Sequence, residues 1–190
     1  MKNLMLIPLL VLLLTQVADA QNRRAPQKYV DINAGIGILP TFVKDAGKVN
    51  APPMSLTADF KLAEHFSLGA FAGYSVTETG LRLLRDGGTA KWRNRFSVVG
   101  VRLAAQSRPL GPWNIYGGMS VAYSHSNIDM MEGQIQKVKE EKGIKESSGK
   151  VLVGGFIGGR HSLTPRLGLF GELGFGISLA TAGLSVRLCR

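Results

Sequence analysis

The chain has a single cysteine in 190 residues, which excludes an intramolecular disulfide framework and any multi-cysteine zinc site. Charge is sparse too: only 19% of residues are Asp, Glu, Lys or Arg, and acids are the scarcer sign, 13 against 23 bases, for a formal charge of +10. At 45% hydrophobic residues the chain is too apolar for an intrinsically disordered protein, whose defect is that it cannot bury enough surface to offset ordering. Beyond residue 20 there is no uninterrupted apolar run near the roughly 18 residues of a membrane helix. No G-x-S-x-G, H-E-x-x-H or Walker A run is found either, so the motif-borne hydrolase, zinc-protease and P-loop chemistries have no support. What the chain has in excess is glycine, 24 residues, about twice the usual share of roughly 7%, without the Gly-X-Y period of collagen. The length suits one domain.

The first twenty residues read as a secretory signal peptide. Lys2 is a short positive start, Leu4 to Leu14 is an apolar run containing one proline, and Ala18-Asp19-Ala20 fits the small-x-small cleavage rule ahead of Gln21. The apolar run is too short to span a bilayer, and an uncleaved N-terminal anchor is the weaker alternative. Residues 21–28 are then a short periplasmic lead, and residues 29–190 form one domain.

That domain has a period of two. Val30, Ile32, Ala34, Ile36 and Ile38 alternate with Asp31, Asn33, Gly35 and Gly37, the pattern of a strand with one greasy and one polar or small face. Seven further runs repeat it, centred on Leu56–Phe60, Leu68–Tyr74, Val99–Leu103, Ile115–Tyr123, Val151–Ile157, Leu167–Ile177 and Ala182–Leu188. In the seventh run the expected outer set is Leu167, Leu169, Gly171, Leu173, Phe175 and Ile177. The connections sort by length: Ala63–His65, Ser107–Pro112 and Ser162–Arg166 are short, while Val43–Pro53, Glu78–Asn94 and His125–Gly149 are long and charged. Short turns on one side and long loops on the other are what an outer-membrane barrel shows. The last connection, Ser178–Thr181, is short and breaks the pattern.

The polar face decides which side is out. It carries Asp31, Asp59, Lys61, Arg102, Arg160, Glu172 and Arg187, along with many glycines. Glycine weakens a strand facing water, but makes room inside an eight-stranded barrel, whose lumen side chains just fill. An arginine at mid-bilayer on the lipid face would cost roughly 2–4 kcal/mol. The charges are therefore expected inside and paired, with Phe71, Tyr116, Phe156 and Phe170 beside them. Arg160 and Arg187, on the strands flanking that of Glu172, are the expected partners of Glu172, ahead of Arg102. Glu78 is expected to stand in a loop, where its loss matters little. The fold class expected is all-β: an eight-stranded antiparallel up-and-down transmembrane β-barrel.

The segment from Gly158 to Ile177, GGRHSLTPRLGLFGELGFGI, resembles part of the small bacterial outer-membrane barrels of the OmpX and OmpA barrel-domain type. It has a strand ending in Arg160, a turn at Leu163-Thr164-Pro165, then Leu169 to Gly174. The resemblance implies an eight-stranded up-and-down barrel with paired acidic and basic side chains inside. Members usually end in an outward aromatic that the assembly machinery recognises; Leu188-Cys189-Arg190 departs from that.

Functional chemistry is thin. Ser124-His125-Ser126 is the one catalytic candidate. A Ser–His pair oriented by an acid such as Glu132 could serve acyl transfer, in weak similarity to outer-membrane lipid A deacylases. A polar rim residue is the favoured reading of His125, with no catalytic residue, cofactor or metal expected. His65 and His161 stand by short turns without clustered ligands, and Cys189 reads as a free thiol. The basic excess points to outer-membrane lipids and lipopolysaccharide phosphates and away from nucleic acid, with Arg82, Arg85, Lys91 and Arg93 in the most basic loop. Met131, Ile135 and Val138 fall at helical spacing in the longest loop. The function expected is that of a non-catalytic outer-membrane barrel with a structural or surface-interaction role. It would be monomeric and would meet the barrel-assembly machinery during biogenesis. A lipid A-modifying acyl hydrolase using His125 and a small pore are the alternatives.

Overall fold

A computed structural model describes residues 28–38, 46–83, 88–133 and 147–189. Among these the chain forms nine strands: β1 (Tyr29–Gly37), β2 (Ala46–Lys61), β3 (Phe66–Thr79), β4 (Arg82–Leu83), β5 (Thr89–Gln106), β6 (Trp113–Glu132), β7 (Ser147–Ser162), β8 (Leu167–Gly174) and β9 (Ala180–Cys189). Each pairs antiparallel with its sequence neighbour, β9 returns to β1, and β3 pairs with β5, closing the ring. The two-residue β4 is only an extension hanging on the start of β5. The molecule is thus an eight-stranded up-and-down barrel, and closure removes the sheet edges over its lower half.

The alternation does what its period demands. Met54, Leu56, Phe60, Leu68, Val99, Val101, Leu103, Ile115, Met119, Val121, Val153, Ile157, Leu169, Leu173, Leu184 and Val186 all stand exposed on the outside. An apolar outer belt of this extent is unstable in water and matches a lipid-facing surface. Tyr74 and Tyr123 stand at its long-loop edge, and Phe60 and Trp113 at its short-turn edge, the places of the aromatic girdles of a membrane barrel. The inner positions are polar, charged or glycine. Gly111 has a φ of +63° in the turn between β5 and β6, a left-handed conformation that a residue with a Cβ rarely adopts.

The structure corrects the expected loops. β3 runs on to Thr79, β5 starts at Thr89, β6 reaches Glu132, and β2 and β7 start at Ala46 and Ser147. Above the apolar belt the outward residues become polar, so hydrophobic alternation ends at the lipid boundary while the hydrogen-bond ladder continues beyond it. Glu78, expected in a loop, lies opposite Arg93 in the β3–β5 ladder. Pro52-Pro53 coincides with the register shifts between β2 and β3, since proline cannot donate to a ladder. Arg85, Ile135 and Val138 lie outside the described residues, so the helical spacing in the longest loop falls there as well.

Ile177 is the second correction. It was expected on the lipid face, but β8 ends at Gly174, the chain bends, and Ile177 turns inward to 6% exposure. There it packs with Val98 and Ala122, beside Phe71 and Phe96, forming an apolar layer across the long-loop end of the lumen.

Candidate functional site in the barrel lumen

The lumen is organised around Arg102, 4% exposed on the inner face of β5. Its Nε and Nη2 donate to Asp59 Oδ1 and Oδ2 at 2.8 and 2.6 Å, from β2. Its Nη1 donates to both oxygens of Glu172, at 3.1 and 2.8 Å, from β8. One guanidinium therefore ties three strands, and its flat face lies 4.7 Å from the Phe156 ring centre, where the ring quadrupole attracts a cation. Asn33 donates to Asp59 Oδ2 at 3.3 Å and to Thr57 Oγ1 at 2.9 Å, so the carboxylates are satisfied on more than one side. Glycine permits the crossing: Gly69 lies so close to the Asp59 carboxylate that a Cβ there would overlap Oδ1.

This corrects the expected pairing of Glu172 with Arg160 or Arg187. Neighbouring strands are not neighbouring levels. Glu172 stands opposite Gly158 on β7 and Thr181 on β9, whereas Arg160 faces Phe170 and Arg187 faces Asp31 nearer the short turns. Arg187 makes a two-pronged pair with Asp31, both bonds 2.8 Å, and lies 3.9 Å from the Tyr29 ring centre. Lys61 Nζ donates to Tyr29 Oη at 3.0 Å. Arg160, 3% exposed, donates through Nε to Ser185 Oγ at 2.8 Å and through Nη1 to Ser162 Oγ at 3.2 Å.

The space left over is small. A cavity of about 50 Å³ above Arg102 and Glu172 is walled by Phe71, Phe156, Phe170 and Ile177. A second, of about 10 Å³, lies below among Asp31, Asn33, Gln106, Asn114, Tyr116 and Arg160. Since one water occupies about 10–15 Å³ on this measure, the upper space takes a few waters and the lower one about one.

The Ser124-His125-Ser126 candidate is not assembled. On a strand adjacent residues point to opposite faces. Ser124 Oγ donates to the Lys150 carbonyl at 3.1 Å, and Ser126 Oγ to Asn94 Oδ1 at 2.7 Å. Neither hydroxyl bonds to His125, whose backbone carbonyl accepts from Ser97 Oγ. Glu132 stands at the far end of β6. His65 Nδ1 lies 3.2 Å from the Gln106 carbonyl, and His161 stacks edge-on to Trp113 at 4.7 Å. Among the described residues no cluster of His, Cys, Asp and Glu could hold a metal ion.

Outside the barrel, above the lipid belt, Lys91 and Arg93 of the basic segment gather on Glu78, as strand residues and not as the loop charges expected. Glu78 accepts from Arg93 Nε and Nη2 at 3.0 and 2.7 Å, lies 3.7 Å from Lys91 Nζ, and also accepts from Asn50. The Arg93 bond holds its carboxyl below the ordinary 4.5, with burial opposing and Asn50 and Lys91 assisting. Arg95 pairs with Asp129 at 3.0 Å. Extending the period of two past Ser97 would have placed Arg93 and Arg95 on the outer face.

No protein-family model and no curated protein matches the sequence. Solved structures match in fold. Neisserial surface protein A superposes with a TM-score of 0.50 at 10% identity, covering 86% of this chain and 97% of that one. Ail, the attachment invasion locus protein of Yersinia pestis, in complex with the heparin analogue sucrose octasulfate, gives 0.49 at 9% over 86% and 100%. The N-terminal β-barrel domain of Pseudomonas aeruginosa OprF gives 0.48 at 14% over 86% and 98%. The chain therefore has the fold of the small eight-stranded outer-membrane β-barrels.

Proposed function

We propose that this chain is a non-catalytic, monomeric outer-membrane barrel with a surface-interaction role. Residues 1–20 are its export signal, 21–28 its periplasmic lead and 29–190 its membrane domain. The observation that carries the reading is the uneven height of the wall above the lipid belt. β5, β6 and β7 rise well past the top of the β8–β9 hairpin. From Ser147 to Gly154, β7 pairs with β6 but has no strand on its other side among the described residues. A tall sheet with an open edge is a template for an extended segment of a partner. Along the outer face of its upper part, Lys91, Arg93 and Arg95 offer cations to lipid and lipopolysaccharide phosphates, although Glu78 and Asp129 offset part of that charge. The two small, separate cavities argue for a non-conducting lumen, and the opposed faces of Ser124 and His125 argue against acyl transfer.

The test is expression in a Gram-negative host. The chain should begin at Gln21, resist carbonate extraction from the outer membrane, and shift on unheated gels. Lipid A masses should be unchanged, and the refolded barrel should show no unitary conductance. A soluble periplasmic product, or an acyl chain lost from lipid A in a His125-dependent way, overturns the reading.

A further inference from the structure

The exposed cations at the two ends of the barrel are held differently. At the long-loop end Lys91 and Arg93 share Glu78, and Arg95 pairs with Asp129. At the short-turn end Lys28, Arg108 and Arg166 are exposed and form no ion pair among the described residues. Glu64, the one exposed acid among the described residues of that rim, lies 3.8 Å from His65 Nε2. Arg108 and Arg166 stand on turns that are fixed to one another. The first is closed by backbone bonds of 2.8 and 3.2 Å between Leu110 and Trp113. The second is closed on Thr164 Oγ1, which accepts from the amides of Arg166 and Leu167 at 3.3 and 2.9 Å. The Ser162 amide donates to the Pro112 carbonyl at 2.8 Å and joins the two turns. Beside that joint, on the outer face, the Trp113 and His161 rings meet edge to face.

The apolar belt runs down to this rim. Leu62, Leu110 and Leu163, one on each short turn, are more than half exposed, with Phe60 and Trp113 on the adjoining strands. Leucines at the turn tips bring the hydrocarbon to the turns themselves. An arginine rooted two or three residues away then stands at headgroup depth, its stem on apolar surface and its charge in the polar layer. A cation there with no acid to neutralise it attracts anionic headgroups. Guanidinium groups suit phosphate oxygens, and a half-exposed indole suits the boundary between headgroup and acyl chain. Short turns face the periplasm in an outer-membrane barrel, the reading on which this inference rests, and the leaflet on that side is phospholipid. We propose that the joined β5–β6 and β7–β8 turns form a site for an anionic phospholipid of the inner leaflet, of the phosphatidylglycerol class, with Arg108 and Arg166 on its phosphate and Trp113 against its chain.

The site carries its own reporter. The chain has two tryptophans, and Trp92 is buried towards the long-loop end of β5, so in Trp92→Phe the emission comes from Trp113 alone. The full barrel with that substitution is refolded in vesicles of phosphatidylcholine and phosphatidylglycerol, with bromine on the acyl chains of one lipid at a time. Brominated phosphatidylglycerol should quench Trp113 several-fold more than its mole fraction requires, and brominated phosphatidylcholine less. Adding Arg108→Gln and Arg166→Gln together should return both lipids to their mole fractions. Equal quenching by the two lipids, or a preference that survives the double substitution, overturns the proposal. Should Trp92→Phe fail to fold, native mass spectrometry of the barrel with both tryptophans, released from bilayers of the same two lipids, decides instead. Retained phosphatidylglycerol that the double variant loses supports the site, and retention no greater than that of phosphatidylcholine overturns it. The gel shift is scored on every sample: a folded barrel without lipid preference overturns this site alone, whereas a chain that forms no membrane barrel overturns the outer-membrane reading and the site with it.

Discussion

Two arginine–carboxylate clusters stand on opposite faces of the same strand. Arg102 points into the lumen from β5 and Arg93 points outward from it, and each makes short bonds to an acid. Arg102 joins residues distant in the chain, across a nearly closed interior that holds at most a few waters, where losing a partner strands a charge. Arg93 meets Glu78 straight across the ladder on the outer face; Glu78 is covered by its neighbours, but the Arg93 side chain is 35% exposed, so water screens the pair and its contribution is smaller. The same chemistry therefore holds the barrel together in one place and only tunes its surface in the other.

Arg102→Met should have the largest effect. It strands Asp59 and Glu172 together, and breaking a buried pair typically costs about 3–5 kcal/mol. Urea titration from lipid vesicles should show it, and a midpoint like the parent's would mean that the lumen is wet enough to solvate both acids. Glu172→Ala should cost less, about 1.5–3 kcal/mol, the range for hydrogen bonds to a charged group, because Arg102 keeps Asp59. A loss equal to that of Arg102→Met would show that Glu172 carries the whole cluster.

The two faces differ in their glycines as well. A Cβ at inward Gly118 would run into the Leu103 carbonyl, whereas outward Gly171 has open space around it. Gly118→Ala should cost about 1–3 kcal/mol through overpacking, and Gly171→Ala should leave the midpoint near the parent's. Equal effects would place the two glycines in equivalent surroundings and break the inside–outside assignment.

The smallest effect is expected at the outer cluster. Glu78 has its carboxyl lowered in the folded barrel, so its contribution is present above the unfolded value of about 4.5 and is lost as pH falls through the lowered folded value. Glu78→Gln should flatten that part of the pH dependence of the urea midpoint while changing the midpoint near pH 7 only slightly. An unchanged acid limb would mean that Arg93 does not hold the carboxylate in solution.

Which residues share a face is legible in the residue pattern alone. A period of two is a property of the extended backbone, so Leu56, Val101 and Leu169 had to share one side, and Asp59, Arg102 and Glu172 the other. The cost of charge in lipid then assigned those sides as outer and inner, and the strand count and the short turns followed from the same local pattern. Partners were a different matter. Which arginine meets Glu172 depends on how far each strand is staggered against the next and on what a long side chain reaches across the lumen. No local pattern encodes that stagger, which accumulates around a closed ring of tilted strands. Glu78 looked like a loop residue because hydrophobic alternation reports lipid, not hydrogen bonding, and the ladder outlasts the membrane. Ile177 followed the period but not the strand: β8 stops at Gly174, and once the ladder ends, packing against Val98 and Ala122 decides where the side chain points. Periodicity is written residue by residue, whereas register, reach and closure exist only when all eight strands are in place.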